Sequence, residues 1–220
     1  MDTKIERFFA FILKENFRKF FAFALYVSCI VMCMKTELSL ALRIVRFIIE
    51  ACLSIFILVV LNLEWADKMS EGSGEKIQEI KKIVKEILKY IPIWVISCCI
   101  TNFIMVGQSV NQTSVEQALY EEPIPNLMIV IIFAPILEEI LFRFLPYIFI
   151  KNSVVYILVS SVVFGLMHVI NDPNPLYYIW FYMIDSLYYG YRYYKTKDVF
   201  VTISLHSFNN VVATLLIFIL

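Results

Sequence analysis

Residues 127–150 form an apolar run that nevertheless contains two adjacent carboxylates, Glu138 and Glu139, and one guanidinium, Arg143. The run is long enough to cross a bilayer, since about 20 apolar residues at about 1.5 Å each span the hydrocarbon. A charge at that depth costs at least a few kcal/mol. We therefore expect the three charges to face protein or a water-filled cavity, because a lipid-facing surface would not tolerate them.

The composition indicates a membrane protein. Of the 220 residues, 60% are hydrophobic and 17% are charged, and the mean hydropathy is +0.76. Soluble domains are only about 45–50% apolar. A net charge of zero gives no sign of nucleic-acid binding. The cysteines lack the paired loop spacing of a disulfide framework or a zinc ribbon, so we interpret them as small apolar residues of the spans: Cys29, Cys33, Cys52, Cys98 and Cys99.

The apolar runs predict an all-α transmembrane helical bundle of about seven spans. Residues 1–19 alternate basic and aromatic side chains, as an interfacial helix does, and no cleavage site of a signal peptide follows them. Residues 64–90 are polar, and their helical periodicity predicts a surface helix at the cytoplasmic headgroups. The whole chain, residues 1–220, is expected to be one integral membrane domain. The predicted spans are residues 20–34, 44–63, 91–107, 127–150, 153–170, 176–190 and 199–219.

The Lys and Arg residues of the loops predict the orientation. One side would hold the basic segments, which are the N-terminus, residues 64–90, Lys151 and residues 192–197. The other side would hold the loops without Lys or Arg, residues 108–126 and 171–175. This pattern predicts a cytoplasmic N-terminus, although the basic loop at residues 35–46 does not fit it.

Both histidines of the chain, His168 and His206, lie in predicted spans. Asn210 follows His206 by four residues and shares its helix face, and Phe164 precedes His168 by one turn. A lone histidine in a membrane helix commonly links two helices by a hydrogen bond. That interpretation weakens when every histidine lies in a span and another span supplies carboxylates.

Helix geometry divides the two glutamates between two roles. Glu139 and Arg143 are four residues apart, in the order that favours an ion pair, whereas Glu138 is rotated by about 100°. Glu138 is therefore the freer carboxylate, and with an imidazole it could deprotonate a water for attack on a carbonyl. His206 and Asn210 could donate hydrogen bonds to the resulting oxyanion. The pattern indicates peptide hydrolysis, and the chain has no G-x-S-x-G elbow.

Three short motifs lie on separate apolar helices in the order Glu138-Glu139-x-x-x-Arg143, Phe164-x-x-x-His168 and His206-x-x-x-Asn210. Together they resemble the CAAX protease and bacteriocin-processing (CPBP or Abi) family of intramembrane proteases, over about residues 127–215. The resemblance implies that Glu138 and His168 activate water and that His206 and Asn210 form the oxyanion side. It implies a supporting role for Glu139, Arg143 and Phe164.

The resemblance also implies a setting and a substrate class. The best-known substrates of the family are prenylated C-terminal CAAX peptides, and many bacterial members are linked to bacteriocin maturation or self-immunity. We therefore expect a protein of the bacterial plasma membrane that cleaves a peptide or protein near the bilayer. The sequence requires no cofactor, although zinc could be held by Glu138, His168 and His206, without the His-Glu-x-x-His motif that would demand it.

Two other functions remain compatible with the sequence. A non-catalytic bacteriocin-immunity or scaffold protein would keep the fold and bind a partner. A proton or ion carrier would use the buried Glu and His side chains as a relay. The remaining polar residues of the spans have no motif, and for Asp185 a helix-to-helix hydrogen bond is favoured over lining a cavity: these residues are Glu50, Asn62, Asn102 and Asp185.

Depth in the membrane is the main geometric demand on this hypothesis. Measured from the Lys151 side, Glu138 would lie about 19 Å deep and His168 about 25 Å, but His206 only about 10 Å. Tilt or a break near Pro135 is expected to bring the three side chains level. Otherwise the sixth or seventh span is wrongly placed.

Overall fold

The computed structural model describes residues 72–104 and 107–219, and this part of the chain is all-helical. The interfacial helix, the first two spans, three of the cysteines, Glu50 and Asn62 lie outside the described residues, as does the side chain of Asn102. The described helices are α1 (Ser73–Ile104), α2 (Val110–Glu121), α3 (residues 123–149), α4 (Ser153–Val169), α5 (Pro175–Thr196) and α6 (Val199–Ile219).

The helix α3 is continuous but changes its winding twice. Two π-helical stretches, Ile129–Phe133 and Ile140–Phe144, separate three α-helical segments. Each π stretch ends two residues before a proline, Pro135 or Pro146. A proline lacks the N–H that an α-helix needs and its ring crowds the preceding turn, so a wider turn relieves both problems. The expected break near Pro135 is thus a local widening of the helix.

The helix α1 corrects the predicted boundary between a surface helix and the third span. Both belong to one helix of 32 residues, with Pro92 inside it. Its polar half does not lie free, because Lys82 pairs with Asp198 at 2.6 Å and Glu86 pairs with Arg192. The opposite, apolar face of this half is exposed. Ion pairs, together with the packing of Ile87 and Tyr90, attach this half to α5 and α6.

The helix α5 is longer than the predicted sixth span of residues 176–190. It continues to Thr196 and ends at Lys197, whose positive φ of 55° forms a left-handed cap. The charge of Arg192 and Lys195 predicts a loop, whereas both residues lie within α5. The ion pair between Arg192 and Glu86 accounts for Arg192 within the helix.

The helices α4 and α5 pack closely through small residues. A Cβ atom placed on Gly165 would lie 2.9 Å from Cγ1 of Ile179 and 3.3 Å from its carbonyl oxygen. A Cβ atom on Gly190 would lie 3.1 Å from Oγ of Ser160. Small residues let membrane helices approach each other in this way. This contact holds α5 against α4, which is one of the three helices that carry the motifs.

Within the described residues, length and apolar composition qualify one helix, Val199–Ile219, to cross a membrane. Ser153–Val169 is apolar but shorter. The all-α class is confirmed for the described residues, whereas the count of seven spans stays a prediction.

Gly165→Ala is expected to destabilise the protein by about 1–3 kcal/mol, the typical cost of overpacking a filled contact. The added methyl group would press on the side chain and backbone of Ile179. The free energy of unfolding of the purified protein in micelles is the measurement. Gly74→Ala is the matched control, since a Cβ atom there meets nothing within 4 Å. Equal stability of both variants would contradict the packing described for α4 and α5.

Candidate active site

The three motif helices bring their polar residues to one place. Oε2 of Glu138, on α3, lies 3.5 Å from Nε2 of His168 on α4. The same oxygen lies 3.7 Å from Nε2 of His206 on α6. This oxygen is buried and has no hydrogen-bond partner among the described residues. One carboxylate oxygen thus faces the Nε2 atoms of both imidazoles.

The neighbouring carboxylate, Glu139, is fully engaged in ion pairs. Its Oε2 lies 3.3 Å from Nε of Arg143, and its Oε1 lies 3.0 Å from Nδ1 of His206. The Glu139 and Arg143 side chains are both 0% exposed, whereas the side chain of Glu138 is 25% exposed. The structure therefore contains the ion pair that the spacing predicted, and Glu138 is the more accessible carboxylate.

The hydrogen bonds of the imidazoles fix which ring nitrogen faces Glu138. Nδ1 of His168 lies 2.9 Å from the carbonyl oxygen of Phe164, which can only accept, so Nδ1 carries a proton. Nδ1 of His206 faces the carboxylate of Glu139 and donates to it in the same way. In the neutral form of each ring, Nε2 is then the nitrogen with a free lone pair. Both lone pairs point towards Glu138.

The helices are staggered, which resolves the difference in depth. Val199, the first residue of α6, packs in one cluster with Ile140, and Phe144 and Tyr147 pack against that cluster. The start of α6 therefore lies beside residues 140–147 of α3 and not beside its end. Glu138 lies nine residues from Tyr147, or about 14 Å, and His206 lies about 11 Å from the start of α6. The remaining difference is small enough for side chains and tilt to cover, and the placement of α6 agrees with the predicted seventh span.

Asn210 does not contact the glutamates or histidines in the described hydrogen bonds. Its Nδ2 donates to the carbonyl oxygen of Val130 at 2.8 Å. Val130 belongs to the first π stretch, where a carbonyl pairs with the N–H five residues later. That residue is Pro135, which has no N–H. Asn210 thus supplies a donor that the proline cannot.

Aromatic rings enclose the imidazoles. The ring centroid of Phe164 lies 4.4 Å from that of His168 and 5.7 Å from that of His206. The guanidinium carbon of Arg143 lies 5.0 Å from the same Phe164 ring, within the range of a cation–π contact. Phe164 therefore touches the polar groups of all three motif helices.

A comparison with protein families gives one match. The family model described as "Type II CAAX prenyl endopeptidase Rce1-like" matches residues 120–212, which include all three motifs. The match agrees with the resemblance of the three motifs to the CAAX protease and bacteriocin-processing family. The family consists of membrane-embedded proteases. No curated protein and no solved structure matches the chain.

Sequence reasoning missed three residues that contact the candidate site, all on α5. Tyr182 stacks on His168, Ser186 accepts a hydrogen bond from Arg143, and Tyr189 stacks on His206. Their spacing of four and then three residues places them on one helix face. That spacing can be read from the sequence. However, tyrosine and serine are common in membrane helices, so the spacing alone does not indicate a site.

Two further expectations concern Asp185 and the cysteines. Asp185 accepts a hydrogen bond from Ser97 of α1 at 3.3 Å, so the expected helix-to-helix bond is present. Cys98 is partly buried and Cys99 is exposed. Within residues 72–104 and 107–219, no group of three or more His, Cys, Asp or Glu side chains is arranged to hold a metal ion. We therefore derive no step through a metal.

Arg143→Ala is expected to lower the free energy of unfolding by about 3–5 kcal/mol, because it leaves the buried Glu139 without its cation. Glu138→Gln is the matched comparison and should cost less than about 1 kcal/mol, since its side chain is partly exposed and pairs with no Arg or Lys. Reversible unfolding in micelles measures both values. A loss for Glu138→Gln as large as that for Arg143→Ala would refute the division between the two carboxylates.

Proposed function

We propose that the protein is an intramembrane endopeptidase that hydrolyses a peptide bond with a water activated by Glu138 and His168. The observation that carries this proposal is the convergence of one partly exposed carboxylate and two imidazole Nε2 atoms. The match of residues 120–212 to a model of a protease family supports the reaction class. The roles of the individual residues are part of the proposal.

In the proposed first step, a water binds between Glu138 and Nε2 of His168. The free oxygen of Glu138 accepts a proton from the water as the water oxygen attacks the scissile carbonyl carbon. Nε2 of His168, which has its lone pair available when Nδ1 donates to Phe164, orients the second hydrogen of the water. The proton is then delivered to the leaving nitrogen as the C–N bond breaks.

The oxyanion is stabilised on the opposite side by His206. When both of its nitrogens are protonated, Nδ1 donates to Glu139 and Nε2 is free to donate to the oxyanion. Glu139 itself is held by Arg143, so the imidazole cannot easily turn away. A donor fixed before the reaction stabilises developing charge without the cost of reorganisation. Asn210 is the proposed second donor on this side. One N–H of its Nδ2 donates to Val130, and the second N–H is the proposed donor to the oxyanion.

The proposed substrate is a peptide or protein whose cleavage site lies close to the bilayer. The family description names a CAAX prenyl endopeptidase, and a lipid-modified C-terminus is one substrate that would reach a membrane-embedded site. We further propose that the chain is a single integral membrane domain of the bacterial plasma membrane with a cytoplasmic N-terminus. Three basic residues would then face the cytoplasm. They are Lys82 of α1, Arg192 of α5 and Lys197 between α5 and α6.

Glu138→Gln is expected to lower kcat by about 10²- to 10⁴-fold, the usual contribution of a general base, while the protein stays folded in the membrane. His168→Ala and His206→Ala should also abolish cleavage. Glu122→Gln, at an exposed carboxylate, is the control and should leave cleavage intact. The measurement compares peptide precursors by mass spectrometry in cells that carry each form, followed by assay of the purified protein on the precursors found.

Other outcomes would point to a different function. If the purified protein cleaves nothing and its cellular phenotype survives Glu138→Gln, the protease proposal is wrong and a scaffold or immunity protein replaces it. A pH-dependent flux in proteoliposomes that Glu138→Gln eliminates would indicate a proton carrier instead. Cleavage that a chelator abolishes and added zinc restores would add a metal to the mechanism.

Asn210→Ala separates two roles of this amide. As an oxyanion donor, Asn210 should lower kcat by about 10²- to 10³-fold when removed. As the partner of Val130 alone, it should lower the free energy of unfolding by about 1–3 kcal/mol through the carbonyl left unpaired, with kcat preserved in the folded fraction. Parallel measurement of kcat and unfolding decides between them. Full kcat in Asn210→Ala would exclude the oxyanion role.

A further inference from the structure

The helix α5 carries none of the three motifs, yet it contacts the polar residues of every motif helix. Tyr182, Ser186 and Tyr189 lie within about 60° of one another around the helix, from a rotation of about 100° per residue. Each contacts a different partner, namely His168 on α4, Arg143 on α3 and His206 on α6. We call these three residues the α5 stripe.

Tyr182 is held at both ends. Its ring stacks on the imidazole of His168, with centroids 4.6 Å apart and an interplanar angle of 26°. Its hydroxyl lies 2.6 Å from Oγ of Ser109, the residue that caps the start of α2. Nδ2 of Asn111 also donates to this hydroxyl at 3.3 Å. The ring is therefore held against the face of His168, and its position depends on the residues at the start of α2.

Tyr189 supports the other histidine in the same manner. Its ring stacks on His206, with centroids 5.5 Å apart and an interplanar angle of 24°. Its hydroxyl lies 2.9 Å from the hydroxyl of Tyr90 on α1. Tyr90 and Tyr189 are almost fully buried, so neither ring can turn without displacing its neighbours. The two imidazoles thus rest on two rings that are each anchored from outside the site.

Ser186 lies between the tyrosines and supports the ion pair. Its hydroxyl accepts a hydrogen bond of 2.8 Å from a terminal nitrogen of Arg143, and it is fully buried. Nε of Arg143 lies 3.3 Å from Oε2 of Glu139, whose Oε1 lies 3.0 Å from Nδ1 of His206. Ser186 is therefore linked to His206 through Arg143 and Glu139.

We propose that Tyr182, Ser186 and Tyr189 are positioning residues that set the orientation of the two imidazoles and the guanidinium. As a statement about catalysis, the proposal rests on the proposed protease function. The geometric part does not, because it concerns the ring environment of each histidine and can be measured without a substrate. Of the two histidines, Tyr182 stacks on His168 and Tyr189 stacks on His206.

The chain contains two histidines, so ring resonances in a sample labelled with ¹⁵N and ¹³C at histidine can be assigned with His168→Gln and His206→Gln. In the purified full-length protein in nanodiscs, Tyr182→Leu is expected to shift or broaden the His168 resonances and leave those of His206 unchanged. Tyr189→Leu should do the reverse. Ser186→Ala should change the His206 resonances through Arg143 and Glu139.

Matched variants keep the test decisive when a leucine substitution disturbs folding. Tyr182→Phe keeps the stacked ring but loses the bond to Ser109, and Ser109→Ala removes the same bond from the other side, so both should broaden His168 alike. Tyr191→Leu, at an exposed tyrosine of the same helix, is the control and should change neither histidine. The proposal is overturned if each variant shifts both histidines equally, or if neither shifts the histidine that it touches.

The catalytic consequence is measured on the cleavage assay. A misplaced catalytic group can cost about 100-fold in rate, so Tyr182→Leu and Tyr189→Leu should lower kcat by about that factor with KM little changed. Selective resonance shifts without any protease activity would keep the positioning role and reject the proposed function. Cleavage at full kcat in both leucine variants would reject the positioning role and keep the proposed function.

Discussion

The buried carboxylate of Glu139 is the interaction on which the rest of the site depends. A charge in an apolar interior is tolerated only when it is paired and hydrogen-bonded. Glu139 meets this condition through Arg143 on its own helix and His206 on α6. Arg143 in turn donates to Ser186 on α5 and lies over the ring of Phe164 on α4. Satisfying one buried charge therefore requires four helices to be in register.

The prolines of α3 place a second demand on the same helices. Pro135 cannot donate to the carbonyl that a π turn would offer it, and an unpaired carbonyl in an apolar environment costs free energy. Asn210 of α6 provides the donor, one turn beyond the bond from His206 to Glu139. The two bonds attach α6 to α3 at neighbouring levels. The irregular winding of α3 and the position of His206 are therefore parts of one arrangement.

Sequence reasoning recovered what depends on local spacing. The ion pair of Glu139 and Arg143 follows from a separation of four residues, and the helices α3, α4 and α6 lie where the apolar runs predict them. It failed where a distant partner decides the outcome. Arg192 was assigned to a loop, but its pairing with Glu86 lets α5 continue past it. Level helix ends would place His206 at a shallower depth than Glu138. The stagger of α6 against α3 removes this difference, and it is a property of packing between helices.

The contrast between the two adjacent glutamates explains why a site of this kind can be placed in an apolar helix. A single carboxylate in that position would need a cation to be tolerated, and a carboxylate bound tightly to a cation is a poor base. Here Glu139 takes the cation and the bond from His206, while Glu138 is turned by about 100° to a position that is 25% exposed. Partial exposure lowers the cost of the second charge without a cation. The charge that organises the helices and the carboxylate that faces both imidazoles are therefore different residues, and this separation allows the same short stretch of α3 to serve the fold and the proposed chemistry.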